Sequence, residues 1–410
     1  MISSPDNKRT AMPFLRTQGQ RIFDENGRET RLRGVNLGGW LMMEAYFMFA
    51  PNRPLHLFEK NFQRVLGAKA LEEFHHEFRR NFIREEDFDA IQKLGCNCIR
   101  LPFHYRVIEP VAMKPGGKDV GYLDKAIGWA RQRGIYVILD LHAAPGSQNH
   151  DWHSDSDGKA QFWTSPRNQQ RTLKIWQFLA DRYKDESAVA GYDLLNETVL
   201  SDPVKLNRFY AAAIARIRRI DKKHIIFVEG NNWAQDIECL DVFEDDNYAL
   251  SIHNYEPLDF TFNFVPFLRY PLRRAKAPWN RAILTKNLQR YAQTAAKRNL
   301  PVLVGEFGVN AREGWYGEDR WLADTLTAYD KFEFHWTYWT YKAVKNYTFP
   351  DGLFSYRPNP PWVRREGPVT GWETYAALWP KHKKEMAASW RTAAFTPNPQ
   401  LIKVFKAHVR

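Results

Sequence analysis

Short apolar runs and amphipathic stretches alternate along nearly the whole chain. Runs at 32–36, 97–102, 135–141, 189–195, 224–229, 248–253, 301–305 and 334–340 are rich in Val, Ile, Leu and aromatic residues. Such runs read as strands buried on both faces. Between most of them, apolar positions recur every three to four residues. Examples are Glu85 to Leu94, Leu123 to Arg133, Arg171 to Tyr183, Leu206 to Ile220, Asn287 to Arg298 and Arg320 to Phe332. That period predicts helices with one buried stripe. Strands alternating with helices predict an α/β chain, and eight such units favour a closed (β/α)8 TIM barrel over an open doubly wound sheet. Ahead of the barrel, Gln20 to Arg28 reads as a strand ending at the turn signal Asn26-Gly27. Thr30 to Leu32 is its expected partner, in an N-terminal β-hairpin that plugs the barrel mouth. Residues 1–17 read as a flexible leader, residues 18–410 as a single barrel domain, and Asn398 to His408 as a closing helix.

The remaining residues fall after strands rather than before them. Insertions at 41–80, 142–170, 254–286 and 341–395 predict long βα loops on one face. In a barrel of this kind that face carries the active site.

Two of the runs end on a carboxylate: Tyr192-Asp193-Leu194-Leu195-Asn196-Glu197 and Val302-Leu303-Val304-Gly305-Glu306. Two carboxylates across a cleft suit glycoside hydrolysis, in which one protonates the leaving oxygen and the other attacks carbon or activates water. A separation of about 5–5.5 Å is expected, with Glu306 as nucleophile. Glu197, as the acid, is expected to have a raised pKa from burial and a neighbouring carboxylate. Arg100 lies in the apolar stretch Cys98-Ile99-Arg100-Leu101-Pro102, and a buried cation needs a partner. Its expected partner is Glu306, which it would hold ionised. Asn196 is placed to bond a substrate hydroxyl beside the reacting carbon. Gly305 and Gly308 would let backbone approach a ligand. His142 and His253 end strands, Tyr255 is expected to orient the nucleophile, and Trp339 to form a floor under the sugar. A lone histidine reads more plainly as a core residue, and barrel packing for Trp339 and a structural ion pair for Arg100 are the plainer alternatives; the set at the strand tips of one barrel points to a site.

Composition narrows the partners. The chain has 410 residues, 44% hydrophobic and 15% aromatic, enough for a barrel with long loops. Its fifteen Trp either fill the core or offer flat faces to sugar rings. The net charge of +12 is scattered, with local groups at Arg269, Arg273, Arg274 and Lys276 and at Lys381, Lys383 and Lys384. No nucleic-acid motif accompanies it, so it reads as a solvated basic surface. Cys96, Cys98 and Cys239 form no disulfide framework and no Cys–His metal spacing. Cys96 and Cys98, two residues apart, are expected on the same side and buried. No metal or organic cofactor is expected. No apolar stretch reaches the ~20 residues of a membrane span, so no stable membrane insertion is expected. Met1 to Gln20 has no apolar run suited to a signal peptide, which leaves the chain intracellular or numbered after a signal's removal. Oligomeric state stays open.

Together these segments resemble glycoside hydrolase family 5, of the clan of retaining TIM-barrel glycosidases, from about Gln18 to Trp339. The acid/base motif of that family matches Leu195-Asn196-Glu197, and its nucleophile motif matches Gly305-Glu306-Phe307-Gly308. Its strand-two arginine matches Arg100, its strand-three histidine His142, its strand-six His-x-Tyr His253 and Tyr255, and its last-strand tryptophan Trp339. Two segments look like the exo-β-1,3-glucanase branch: Gly34-Val35-Asn36-Leu37-Gly38-Gly39-Trp40-Leu41 and Ala144-Pro145-Gly146-Ser147-Gln148-Asn149. They add Asn36 and, just beyond, Glu44 to the substrate-binding set. The resemblance gives Glu44 the terminal glucose to grip. The chain departs from that branch at Ala45-Tyr46-Phe47-Met48, at His150-Asp151-Trp152-His153-Ser154, and in a tail with Asp351-Gly352-Leu353-Phe354 and Ser389-Trp390-Arg391-Thr392.

The resemblance implies a retaining β-glycosidase acting by double displacement on a β-linked glucan, oligosaccharide or glucoside; Glu44 and the large loop after the sixth strand suggest a pocket and hence exo action. Rivals are an endo-acting β-1,4-glucanase (cellulase) or β-mannanase, and a β-glucoside or glycolipid hydrolase with an apolar aglycone. The last would use the greasy wall of Pro257, Leu258, Phe260, Phe262, Phe264, Val265, Phe267 and Leu268. A non-catalytic carbohydrate-binding barrel predicts loss of a carboxylate or of Arg100, and all are present.

Overall fold

A computed structural model describes residues 12–48, 50, 52–273, 278–345, 347–356 and 371–409, with side chains from 375 onward in the last segment. Two short antiparallel strands, β1 (Leu15–Gln18) and β2 (Arg21–Asp24), precede the barrel. Eight parallel strands then close on themselves. They are β3 (Arg33–Asn36), β4 (Cys98–His104), β5 (Tyr136–Ala143), β6 (Val189–Asp193), β7 (Ile225–Glu229), β8 (Tyr248–His253), β9 (Val302–Glu306) and β10 (His335–Tyr338). Closure is made by β10, where Trp336 pairs both Arg33 of β3 and Val304 of β9. This is the expected TIM barrel. All eight strands are buried except for Arg33, which is half-buried, as the unbroken apolar runs require.

The predicted helices form close to where their periodicity placed them. Glu85–Leu94 matches at both ends, and Pro166–Tyr183, Pro203–Arg218 and Arg281–Arg298 start earlier than expected. The early starts have local causes. Ser165, Asp202 and Asn280 each cap a helix N-terminus with a side-chain acceptor, and Pro166 and Pro203 sit in the first turn, where no N–H is missed.

The N-terminal hairpin differs from expectation. Its strands meet at Gly19-Gln20, and Asn26-Gly27 only turns the chain toward a single bridge between Phe23 and Glu29. The last residues of the expected leader, Leu15 to Thr17, therefore lie in β1, while residues 1–11 lie outside those described. The hairpin does plug the barrel. Leu15 and Ile22 pack with Leu32, Ile138, Phe227 and Leu303 in the interior cluster at that end, and the Thr17 N–H donates to Asn247 Oδ1 at 2.9 Å. Cys98 joins this cluster; Cys96, also buried, packs instead in the larger cluster and not on the same side.

The loop after β3 carries two helices, Leu55–Leu66 and Ala68–Phe82. Their Phe62 and Phe74 meet Trp379 and Trp390 of the C-terminal segment, with Phe74 5.1 Å from Trp379 and 5.5 Å from Trp390 between ring centroids. Several tryptophans are thus core packing. Among the described residues, no helix is long and apolar enough to cross a membrane.

Candidate active site

The two carboxylates arrive at the same mouth by different routes. Glu306 is the last residue of β9. Glu197 lies four positions past the end of β6, with φ 49°. A non-glycine residue in the left-handed region is strained and needs support. Glu229, ending β7, supplies it: Oε2 accepts the Glu197 main-chain N–H at 2.6 Å. A carboxylate oxygen of Glu197 and one of Glu306 lie within 4.8 Å of each other.

Arg100 organises the floor of the site and is wholly buried. Its Nη1 donates to Glu306 Oε1 at 2.7 Å, its Nε to Asp193 at 2.9 Å and its Nη2 to Glu229 Oε1 at 2.8 Å, with Asp140 at 3.1 Å. Burial alone would discharge the guanidinium, but this ring of acids holds it charged. Asp140, Asp193 and Glu229 offer oxygens within 4.8 Å of one another, a spacing that suits a cation, and Arg100 is the cation beside them. Asp193 is forced toward its protonated form by burial and by Glu229. The sequence reading missed these three acids, although each carries the signal that singled out Arg100, a charge inside an apolar strand.

His253 stands between the two glutamates. Its Nδ1 is 2.7 Å from Glu197 Oε1 and 3.6 Å from Glu306 Oε2, and its Nε2 is 3.2 Å from Glu229. Burial disfavours the imidazolium, but Glu229 and Glu306 raise its pKa well above the ordinary value. Gly305 makes room for it, because a Cβ there would meet His253 Nε2 at 3.0 Å and Ser251 Oγ at 3.1 Å. The close approach that Gly305 allows is therefore to a side chain rather than to a ligand. At Gly308 a Cβ would strike the Trp339 carbonyl at 2.1 Å.

The remaining expected residues divide into two groups. Glu44, His142, Tyr255 and Trp339 line the pocket with both glutamates. Tyr255 Oη donates to Glu306 Oε2 at 2.8 Å, as expected of a group that orients it. Trp339 stacks on His142 at 5.4 Å and 8° between ring planes. His142 would lose charge on burial, yet Asp140 at 2.8 Å and Glu44 at 3.4 Å push its pKa up to about 10. Glu44 Oε1 takes no well-formed hydrogen bond among the described residues and is buried.

Asn36, Arg100, Asn196 and His253 stand behind that surface. Asn36 donates to the Gly305 carbonyl at 2.9 Å and accepts from Arg100 at 3.2 Å, so both ends of its amide serve the frame rather than a substrate. Asn196 accepts from Arg100 at 2.9 Å, and its Nδ2 has no partner among the described residues.

The charge states differ from the sequence expectation. Burial would protonate Glu197, but hydrogen bonds from His153 at 3.1 Å and His253 at 2.7 Å hold it well below the usual carboxylate range. Glu306 is raised, because burial outweighs the pull of His253 and Arg100. The reason is the number of cations: two imidazoles bond to Glu197, and one of them, His153, belongs to a loop that the motifs did not reach.

Aromatic rings complete the pocket, whose volume is about 370 Å³. Tyr46, Trp152 and Phe349 meet pairwise, with centroids 5.9, 5.3 and 5.9 Å apart, and all three line it. Leu258, Phe262 and Phe264 form another wall, and Trp233 donates from Nε1 to Asp151 at 2.7 Å.

Residues 60–345 match the model of the family described as Cellulase (glycosyl hydrolase family 5). The chain belongs to this family. It is 34% identical over 350 residues to a beta-xylosidase of Phanerodontia chrysosporium, covering 81% of this chain and 71% of that one. It is 30% identical over 258 residues to a probable glucan 1,3-beta-glucosidase A of Aspergillus niger, covering 61% of each. Its fold is similar to endoglucanase Cel5A of Thermotoga maritima, with a TM-score of 0.60 at 21% identity over 91% of this chain and 96% of that one. As a family 5 glycoside hydrolase, the chain is a β-glycosidase that acts on carbohydrate.

Proposed function

We propose that this family 5 enzyme is a retaining, exo-acting β-glycosidase that removes the terminal sugar of a β-linked glucan, oligosaccharide or glucoside. Glu306 attacks the anomeric carbon while Glu197 protonates the departing oxygen; Glu197 then takes a proton from water, which releases the sugar. The observation that carries this reading is a pair of carboxylate oxygens within 4.8 Å across a pocket walled by Tyr46, Trp152 and Phe349. That spacing belongs with attack by the second carboxylate, since an inverting pair needs roughly 6.5–9.5 Å to admit water. The buried Glu44, whose Oε1 has only the 3.4 Å ion pair with His142 among the described residues, supports a grip on a terminal hydroxyl, and Asn196 Nδ2, without a partner among the described residues, supports a hydrogen bond to the reacting ring. Residues 18–410 would act as one domain.

A second reading is favoured by one feature. Leu258 and Phe264 line the pocket while half open to water, and Phe267, later in the same loop, is 84% exposed. An apolar wall running out of the site suits a β-glucoside whose aglycone is greasy.

Chromatography of products separates these readings. The panel is laminarin, cellulose oligomers, mannan and aryl β-glucosides and β-xylosides, with Glu306→Gln as blank. A monosaccharide as sole early product is expected, and the best substrate names the sugar and linkage. A ladder of oligomers would replace the exo reading with endo action. Cleavage confined to glycosides of long alkyl or aryl alcohols would favour the apolar aglycone.

A further inference from the structure

His153 lies in the one-turn helix Trp152–Ser154 of the loop after β5, and no motif of the sequence pointed to it. Its Nε2 is 3.1 Å from Glu197 Oε2, the oxygen opposite the one that His253 holds. The same Nε2 is 2.9 Å from Asn149 Nδ2. The orientation of Asn149 is set independently, because its Oδ1 accepts the Asp151 N–H at 2.9 Å and its Nδ2 also donates to the Glu197 carbonyl at 2.7 Å. One ring nitrogen therefore faces an amide donor and a carboxylate at once. The amide favours a neutral nitrogen that accepts; the carboxylate favours a protonated nitrogen that donates. A single proton on the Glu197–His153 pair satisfies one neighbour in each of its two positions.

We propose that His153 is a positioning residue that holds and returns the proton Glu197 delivers. The assignment rests on the reading of Glu197 as the acid. At rest the proton sits on His153 Nε2 and Glu197 is a carboxylate. As the glycosidic oxygen arrives, the proton shifts to Glu197 Oε2 and on to that oxygen, as the C–O bond breaks and Glu306 bonds to carbon. Glu197 is then a carboxylate and His153 is neutral, accepting from Asn149. In the second half, water attacks the same carbon, Glu306 leaves, and the proton released by water returns through Glu197 to Nε2. No proton is gained or lost over the cycle.

The surroundings suit an easily moved proton. His142, itself charged, has its ring 6.3 Å from that of His153 and opposes a second positive charge. Burial opposes it as well, while Glu197, Glu44 and Asp151 favour it. His253 and Glu306 face the pair from β8 and β9. Ser154 pins the loop through bonds to the Asn149 and Asp151 carbonyls at 3.1 and 2.9 Å.

The test has two arms on the full chain. With ¹⁵N-labelled histidine, the His153 ring, assigned by its loss in His153→Gln, is titrated by NMR in wild type and in Glu197→Gln. The midpoint is expected above the ordinary ~6.5 in wild type and lower by about one unit or more without the Glu197 charge. An equal midpoint in both proteins overturns the proposal. In the second arm, kcat/KM is followed against pH with 4-nitrophenyl and phenyl β-glucoside. His153→Gln keeps a donor but cannot hold the proton, so its alkaline limb with phenyl β-glucoside is expected about one unit or more lower. A loss equal at every pH assigns His153 a merely structural role and removes the proposal. Glu197→Ala is the control for the parent reading. If it slows both glucosides equally, the acid assignment itself fails; if it slows only the phenyl compound while His153→Gln keeps the wild-type limb, only His153 is misassigned.

Discussion

Glu229 accepts the main-chain N–H of Glu197 at 2.6 Å through one oxygen and binds Arg100 at 2.8 Å through the other. A carboxylate that lies outside the pocket lining thus fixes the strained backbone of one inside it and shares the guanidinium that holds Glu306. Replacing it tests whether this frame controls the chemistry. Glu229→Gln keeps the shape and removes the charge. A fall in kcat of about 10²-fold is expected, because small displacements of oriented groups cost that much. Glu229→Ala leaves Arg100 short of a buried partner and should also destabilise the fold by about 3–5 kcal/mol. Steady-state kinetics and denaturant unfolding check the pair. Wild-type kcat in Glu229→Gln would show that the frame is indifferent to its charge.

The division of labour between the glutamates is expected to appear in azide rescue. Glu306→Ala should abolish turnover and, with azide and an activated aryl glycoside, give the inverted α-glycosyl azide. Glu197→Ala should slow substrates with poor leaving groups by about 10²–10⁴-fold and activated aryl glycosides far less. Proton NMR of the products and a leaving-group series read both results. Formation of the β-azide by Glu306→Ala would reverse the roles.

The barrel was legible in the sequence because strands covered on both faces read as unbroken apolar runs. Arg100, Glu306 and His253 were legible because each ends or interrupts such a run, and Tyr255 because it follows His253 by two residues. The hairpin was misread for the opposite reason: β1 is Leu-Arg-Thr-Gln, four residues with alternating exposure, and the stronger turn signal at Asn26-Gly27 lies past it. Asp140, Asp193 and Glu229 carry the same signal as Arg100, a charge in an apolar strand. The ring triad carried none, since Tyr46, Trp152 and Phe349 come from three separate loops and meet only in space. The charge states were misjudged because a strand tip does not reveal how many cations surround a carboxylate, and His153 reaches Glu197 from such a loop.

Glu44 tests substrate recognition in the pocket. Its Oε1 is 3.4 Å from the charged His142 and its side chain lines the pocket, placed for a sugar hydroxyl. Glu44→Gln is expected to reduce kcat/KM by about 10–100-fold, the worth of roughly 1.5–3 kcal/mol for a hydrogen bond to a charged group. The loss should be greatest for substrates whose terminal sugar carries its full set of hydroxyls. Kinetics with glucosides and deoxyglucosides compare the two. Equal losses for both would remove Glu44 from substrate recognition.

Asp155 offers a test of stability at the site's outer wall. It follows the His153 turn with φ 60°, and its oxygens hold the His56 N–H at 2.8 Å, His56 Nδ1 at 2.9 Å, His104 Nε2 at 3.0 Å and Arg106 Nη2 at 2.9 Å. The contacts tie the loop after β5 to the helix Leu55–Leu66 and to the end of β4. Burial opposes its charge, but these partners, His104 and His56 foremost, hold its pKa well below the ordinary value. A depressed carboxylate contributes stability that is complete above its unfolded pKa of about 3.9 and is lost as pH falls below that. His56 is raised by Asp155, so its share is complete below about 6.5 and lost as pH climbs through its folded value. The two windows overlap between about pH 4 and 6.5. Asp155→Asn should therefore lower Tm most in that interval, by an amount equivalent to about 1–3 kcal/mol, with the gap to wild type narrowing on either side. Thermal melts at half-unit steps from pH 3 to 9 would reveal it, and a gap independent of pH would mean that Asp155 acts through shape alone.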